Sequence, residues 1–326
     1  MSDLSAFETW RSGIVAGFQD VQDAICRGLE REEAQRQGAS FVEDVWDRPG
    51  GGGGRTRVLT NGAVWERGGV NFSDVHGPVS PGLAAQMNTE AEQFWASGVS
   101  LVLHPRNPWV PIVHMNVRHF ALSDGTQWFG GGIDLTPHYV NPEEAQAFHR
   151  VLHALCARHD VADYAAFKAE ADAYFFLPHR HETRGVGGIF FDHLGRGEAS
   201  ADWEALRAWV MDVGHTFLEA YVPLVDANVD RPFTARERDW QLHRRGRYAE
   251  FNLAWDRGTR FGLVSNGRTE SILMSLPPEA RWTYAHQPGE AEQATLAWLR
   301  QGVDWLGGNG PGPDRPAVGR PGGEPA

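Results

Sequence analysis

The N-terminal part of the chain shows a helical pattern of apolar positions. Five apolar residues recur at spacings of four and three: Ile14, Phe18, Val21, Ile25 and Leu29. This spacing places them on one face of an α-helix. The pattern therefore predicts one amphipathic helix from Leu4 to about Glu33.

The pattern then changes to short β-branched or aromatic stretches that are broken by glycine and asparagine. Six strands are predicted: Phe41–Asp47, Arg55–Thr60, Ala63–Ser73, Val99–His104, Asn116–Ser123 and Gly131–Val140. The pair Asn61-Gly62 is a typical hairpin turn. These features predict an antiparallel meander.

Helices return at Pro142, where Asn141 can cap the first turn. Further helices are predicted at Ala162–Phe176, Asp202–Val222, Thr234–Arg244, Thr269–Leu276 and Glu290–Trp305. Strands are predicted at Gly185–Leu194, Tyr248–Trp255 and Thr259–Val264. We expect a single α+β domain over residues 1–306, with a large, mostly antiparallel sheet sandwiched between helices. Twelve of the twenty residues in 307–326 are Gly or Pro, which predicts a disordered tail.

Composition narrows the class of protein. Thirty Lys and Arg stand against forty-two Asp and Glu, a net charge of −12, which argues against a nucleic-acid partner. No apolar stretch approaches ~18 residues, so no membrane span is expected, and the first residues do not resemble a signal peptide. The only cysteines, Cys26 and Cys156, cannot supply a disulfide framework or a thiolate metal site. We expect a cytoplasmic protein.

Histidines occur in three segments that could carry chemistry. His104 and His114 end a proline-stiffened loop, either as surface imidazoles or as groups presented to a pocket. His149 and His153 share a helix face, as a weak metal signal or as buried structural residues. The segment from His179 to Arg184 is crowded with charge just before a glycine-rich turn, which favours a site wall.

Two further segments concern anions and turns. Asp256-Arg257-Gly258 joins the two predicted strands, and an Asp there is often only turn chemistry. Asn266-Gly267-Arg268 precedes a predicted helix, which is typical of a carboxylate or phosphate site. The run Gly50–Gly54 lacks the Lys-Ser/Thr of a P-loop, and no GxGxxG follows a strand, so a nucleotide cofactor is disfavoured.

Long blocks of the sequence resemble one enzyme family. GGGGRTRVLTNGAVWERGGVNFSDVHG, HPRNPWVPIVHMNVRHF, WFGGGIDLTPHYV, HRHETRGVGGIFFDHL and RGRYAEFNLAWDRGTRFGLVSNGRTESILMSLPPEARW occur in order between Phe41 and Trp282. They closely resemble oxygen-dependent coproporphyrinogen III oxidases. The resemblance implies a flattened antiparallel sheet between helices, a homodimer, and the conversion of coproporphyrinogen III with O2 to protoporphyrinogen IX, in which two propionates become vinyl groups and two CO2 are released.

The resemblance also implies roles for individual positions. It implies substrate contacts at Ser100, Asn116, Val117, Arg118, Asn266, Gly267 and Arg268. It implies a proton donor at His114, and a dimerisation region from Tyr248 to Trp282. Four histidines match the ligands of a divalent metal, Mn²⁺ or similar, in some bacterial members, whereas other members need no metal: His104, His114, His149 and His179. The sequence departs from the family pattern at His193, where Asp is typical, and at Asn266, where Gly is common.

The implied substrate carries four carboxylates, so its pocket needs arginines near the rim. The candidates are Arg118, Arg184, Arg257 and Arg268. No flavin, haem or nucleotide motif occurs, so the reduced macrocycle itself would supply electrons to O2. We hypothesise that Asp256 holds or deprotonates pyrrole N–H groups and that His114 manages protons. As a base, Asp256 would need burial to raise its pKa. A non-haem metal oxygenase and a non-catalytic tetrapyrrole carrier are the alternatives.

Overall fold

The computed structural model describes residues 2–264 and 267–307. The helices are α1 (Ser2–Ala34), α2 (Pro81–Met87), α3 (Pro142–Cys156), α4 (Tyr164–Tyr174), α5 (Trp203–Asn228), α6 (Ala235–Ala254), α7 (Arg257–Val264), α8 (Thr269–Leu273) and α9 (Glu290–Trp298). The strands are β1 (Val42–Asp47), β2 (Gly52–Thr60), β3 (Trp65–Pro78), β4 (Gln93–Pro105), β5 (Ile112–Leu122), β6 (Gln127–Thr136), β7 (Phe176–Leu177), β8 (Glu182–Thr183) and β9 (Gly187–Leu194).

Seven strands form one antiparallel sheet in the order β1-β2-β3-β4-β5-β6-β9. Strands β1 to β6 are neighbours in chain order, and α2 lies in the connection between β3 and β4. Short turns join the other pairs, as at Asn61, which has a positive φ of 56° and lies between β2 and β3. β9 returns to the edge beside β6 after α3 and α4. The predicted α+β domain with an antiparallel meander is confirmed.

One face of the sheet holds the main apolar core. The predicted stripe of α1, from Ile14 to Leu29, is buried against this face. Helices α3 and α5 pack on the same side. Because side chains alternate between the two faces of a strand, Val113, Met115 and Val117 of β5 point into this core.

The opposite face of the sheet, called the site face here, is more polar. It carries Ser100, His114, Asn116, Arg118 and Asp134, which the strand registers place side by side. Helices α6 and α8 pack on this side, so the sheet lies between two layers of helices. α8 approaches so closely that a Cβ at Gly69 of β3 would overlap the sulfur of Met274.

Two strand predictions are wrong. Most of Tyr248–Trp255 is the C-terminal part of α6, which ends at Ala254, and Thr259–Val264 belongs to α7. The buried face of α6 includes polar side chains, so hydropathy hides its helical period: Gln241, Arg244, Arg245 and Asn252. These groups can be buried because they have polar partners, as Arg245 has in Glu66 at 2.6 Å.

Some of the predictions from the sequence cannot be compared with the structure. Asn266 and the tail from residue 308 onwards lie outside the described residues. Within the described ranges, no helix is both long enough and apolar enough to cross a membrane.

Candidate active site

His114 and Asp134 face each other across β5 and β6. The Nδ1–H of His114 donates to Oδ1 of Asp134 at 2.7 Å. A carboxylate only accepts, so this bond fixes the tautomer and leaves Nε2 of His114 with no hydrogen-bond partner among the described residues. The imidazole is half-buried, with its side chain 20% exposed. His114 is therefore oriented and accessible, as an acid–base group must be.

Arg184 holds the second oxygen of Asp134. Its guanidinium lies 2.6 Å from Oδ2 of Asp134 and donates to Asn252 at 3.1 Å. Burial alone would raise the pKa of Asp134, but the charge of Arg184 and the hydrogen bond from His114 together lower it. Asp134 is thus kept ionised beside His114.

Arg184 does not lie at a rim, contrary to the expectation from the sequence. Its side chain is 2% exposed. Three aromatic rings, those of Phe175, Tyr248 and Phe251, lie 4.4 to 4.7 Å from its guanidinium carbon. A guanidinium enclosed in this way and matched by Asp134 supports His114 from behind rather than meeting a ligand.

Arg118 lies farther along β5 and remains partly exposed. It donates to Asn116 at 2.6 Å and lies 2.9 Å from Asp192 of β9. A Cβ at Gly130, the residue opposite it on β6, would come within 2.7 Å of both Arg118 and Asp192. The bare backbone at Gly130 therefore leaves room for this ion pair.

Ser100 and Val117 lie on opposite faces of the sheet. Ser100 lies opposite Asn116 in the β4–β5 register, on the site face. Val117 points to the other face and is fully buried in the apolar core. Its side chain cannot reach a ligand on the site face.

Asp256 does not lie at the tip of a hairpin. It precedes α7 and caps the first turn of that helix. Oδ2 accepts from both the backbone N–H and the hydroxyl of Thr259 at 2.7 Å. Oδ1 accepts from the hydroxyl of Tyr174 at 2.7 Å. Burial would raise the pKa of Asp256, but these hydrogen bonds outweigh it and lower the pKa. The raised pKa that a base would need is not found, so Asp256 is a poor base.

Helices α7 and α8 are anchored on the two sides of the strands that carry the site residues. At one end, Asp256 is held by Tyr174, whose ring stacks on Phe190 of β9 at 4.2 Å. At the other end, Ser271 of α8 accepts from Asn71 of β3 at 2.7 Å. The strands that carry the site residues, β4 to β6, lie between these two anchors.

Three of the predicted ligand-binding positions that the structure describes lie at the start of α7 or just before α8. Arg257 is exposed at the start of α7, with its guanidinium carbon 4.8 Å from the centre of the Tyr174 ring. The N–H of Gly267 donates to the carbonyl of Gly262 at 2.8 Å. Arg268 pairs with Asp44 of β1. That ion pair is partly exposed, so exchanging Asp44 for a ligand carboxylate would cost little.

The four predicted metal-binding histidines do not fit a shared ion. His149 is fully buried, donates from Nε2 to the carbonyl of Val186 and accepts at Nδ1 from Tyr164. His179 donates from Nε2 to Glu250 and accepts at Nδ1 from the indole of Trp255. Neither ring keeps a free lone pair, which a metal ligand requires.

His104 is also enclosed, with its Nε2–H donating to the carbonyl of Ser275 at 2.9 Å. Burial and the nearby Arg245 keep the pKa of His104 well below its usual range. Across residues 2–264 and 267–307, no three His, Cys, Asp or Glu side chains are grouped so that they could hold a metal ion. No step proposed below depends on a metal.

A crevice of about 280 Å³ lies elsewhere, between α1 and the β1–β2 hairpin. Val15 and Gln19 of α1 and the glycines of β2 line it. None of the residues predicted from the sequence to act on a ligand contributes to it. The site face, which carries His114, Asp134 and Arg118, lies elsewhere on the molecule.

A family model described as coproporphyrinogen III oxidase matches residues 14–305 of the 326. The chain belongs to this family. It is thus an enzyme of porphyrin biosynthesis, a coproporphyrinogen oxidase that decarboxylates its substrate. The match spans every strand of the sheet, as well as helices α7 and α8.

In this coproporphyrinogen oxidase, two functional candidates escaped the sequence analysis. Asp134 is the only charged residue in the buried strand β6, and a buried carboxylate requires a partner; that signal was present in the sequence. Tyr174 ends an ordinary helix, and its bond to Asp256 joins residues 82 positions apart. No local pattern could have indicated it.

Proposed function

We propose that this coproporphyrinogen oxidase uses O2 to convert two propionates of coproporphyrinogen III to vinyl groups, giving protoporphyrinogen IX. Each conversion releases CO2 and one hydrogen from the β-carbon, with two electrons passing to oxygen. The observation that carries the proposal is the geometry of His114 on β5, the strand that also carries Arg118. Asp134 orients the ring, and Nε2 has no hydrogen-bond partner among the described residues. We propose His114 as the group that handles protons as the side chain reacts.

The small number of cysteines and their burial favour O2 as the electron acceptor. Radical chemistry at an iron–sulfur cluster requires several cysteine thiolates. The chain has only Cys26 and Cys156, both buried, on α1 and α3. Burial raises the pKa of both thiols. Two protonated thiols on separate helices cannot hold such a cluster, which favours O2 as the oxidant.

We propose that Asp256 acts as a fixed negative charge and not as a base. Its lowered pKa keeps it ionised. Three hydrogen bonds occupy its oxygens, and a carboxylate offers about four acceptor sites. The remaining site can accept a pyrrole N–H, which raises the electron density of the macrocycle. Arg118, Arg257, Gly267 and Arg268 would then bind the substrate carboxylates, with Ser100 and Asn116 beneath them.

We further propose a cytoplasmic homodimer. Two free, buried cysteines agree with a reducing compartment. The region from Tyr248 to Trp282 exposes large apolar side chains, with Leu253 53% and Trp282 57% exposed. Exposed apolar patches of this kind mark protein–protein contacts, and a second copy of the chain would cover them.

The test is turnover of coproporphyrinogen III with and without O2, each before and after treatment with a chelator. We expect CO2 and protoporphyrinogen IX only under aerobic conditions, and a rate that chelation leaves within about twofold. Turnover without O2 would contradict the choice of oxidant. Loss of activity on chelation, restored by a divalent metal, would favour the metal oxygenase, and binding without turnover would favour the carrier.

A further inference from the structure

The hydroxyl of Tyr174 is the junction between α4 and α7. It donates to Oδ1 of Asp256 at 2.7 Å and accepts the backbone N–H of Arg257 at 3.2 Å. Two adjacent residues with proposed contacts to the substrate therefore meet one oxygen atom. Burial and the neighbouring Asp256 raise the pKa of Tyr174, so the phenol keeps the proton that it donates.

Tyr174 is itself held rigidly. Its ring stacks on Phe190 of β9 with centroids 4.2 Å apart and planes 12° apart. The rings of Phe175 and Phe251 pack edge-on to it, with centroids 5.0 and 5.8 Å from that of Tyr174. Because Phe190 belongs to the sheet, the hydroxyl of Tyr174 is fixed relative to the strands that carry His114 and Arg118.

The two hydrogen-bond partners of the Asp256 carboxylate, Thr259 and Tyr174, have different structural effects. Thr259 lies three residues away in the same turn, so its bonds orient the carboxylate only within α7. The bond from Tyr174 joins residues 82 positions apart and ties the carboxylate to the rest of the fold. Without it, Asp256 and the start of α7 could shift together, with the local cap intact.

We propose that Tyr174 is a positioning residue of the reaction, which holds Asp256 in register with His114 on the site face. This inference rests on the proposed function and adds a residue to it. The role is distinct from stability, because Tyr174→Phe keeps the ring that stacks on Phe190 and removes only the oxygen.

The experiment is a double-mutant cycle in kcat for coproporphyrinogen III, using Tyr174→Phe, Asp256→Asn and the double variant. We expect Tyr174→Phe to lower kcat by about tenfold, as the loss of one hydrogen bond to a charged group predicts, and to change KM by less than about twofold. In the Asp256→Asn background the same change should have almost no effect, because Tyr174 acts through that carboxylate.

Tyr221→Phe is the matched control. Its buried hydroxyl donates to the carbonyl of Pro111 at 3.0 Å in the core on the other face of the sheet. It should lower the melting temperature while leaving kcat within about twofold. Equal losses of kcat in both Asp256 backgrounds, or a Tyr174→Phe enzyme as active as Tyr221→Phe, would overturn the inference. A wild-type chain with no turnover would remove the proposed function and this inference together.

Discussion

Asp256 caps a helix at the position that we propose for a charge in the reaction. Read along the sequence, Asp-Arg-Gly resembles a hairpin tip, and the alternative to catalysis was turn chemistry. In the structure the carboxylate caps α7 and also accepts from Tyr174 of α4. The local bonding of Asp256 within a turn is predictable from the sequence, whereas its lowered pKa depends in part on a partner that is distant in sequence.

Replacing Asp256 separates its structural role from its chemical one. Asn caps a helix about as well as Asp, so Asp256→Asn should leave the melting temperature almost unchanged. The variant loses the negative charge proposed to meet the pyrrole N–H groups, and we expect kcat to fall by about 10²-fold or more, as the loss of a preorganised electrostatic contact predicts. Circular dichroism and steady-state kinetics measure both effects. A folded variant that turns over within a few-fold of the wild type would remove Asp256 from the mechanism.

Gly130 allows a second prediction at the scale of single residues. Gly130→Ala places a methyl group where Arg118 and Asp192 meet, so the guanidinium must move. Because Arg118 is proposed to bind a substrate carboxylate, KM should rise by about tenfold. Gly82→Ala is the control, since a Cβ there has no neighbour within 4 Å. Equal KM values for the two variants would show that Arg118 does not bind substrate.

Secondary structure elements were predictable where apolar residues carry the pattern and not where polar residues are buried. The stripe of α1 and the short strands of the meander were found because one face of each is apolar. The C-terminal part of α6 resembles a strand in sequence because its buried face includes Arg245 and Asn252, which have polar partners in the fold. Those partners come from other elements, so a window of sequence cannot reveal them.

Helix α9 ends at Trp298 and not at Trp305 as the sequence predicts, yet the segment beyond it is part of the core. After Trp298 the chain continues without a helix, and Trp305 is 2% exposed, stacked on Trp298 and on His149. A chain ending at Leu306 should keep the wild-type melting temperature and turnover. A chain ending at Arg300 loses Trp305 and should be about 3 kcal/mol or more less stable. Thermal unfolding of both truncations checks this, and an unchanged melting temperature in the shorter chain would contradict it.

At the scale of the whole molecule, buried neutral histidines make stability depend on pH. Burial lowers the pKa of His119 to about 4 and that of His138 to about 3, against about 6.5 in an unfolded chain. Below pH 6.5 the unfolded state binds protons that the folded state refuses, so stability falls as the pH falls. His119 alone should account for about 2 kcal/mol between pH 7 and pH 5.

The measurement is the free energy of unfolding at pH 7 and pH 5 for the wild type and His119→Gln. We expect the variant to lose less stability over this interval, whatever its stability at pH 7. This window lies above the range in which most carboxylates take up protons, so histidines dominate it. Equal losses in the two proteins would show that His119 is protonated in the folded state.

The proposed homodimer predicts the mass of the protein in solution. Light scattering at micromolar concentration should return twice the chain mass of 36.1 kDa. Leu253→Glu puts a charge in the proposed interface and should shift the mass towards that of a single chain. Phe233→Glu is the control, because Phe233 is similarly exposed, at 44%, but lies outside Tyr248–Trp282. A wild-type mass near 36.1 kDa would contradict the homodimer.

The shared carboxylate of Asp134 sets the charge balance of the site. Arg184 already neutralises Asp134, so a proton on His114 leaves this trio with one net positive charge, and its release leaves none. In the proposed mechanism a positive trio would attract the carboxylate of an arriving propionate, and a neutral trio would let an anion go. The buried arginine, without touching a ligand itself, would thereby make the affinity of the site for carboxylates depend on the proton that His114 holds.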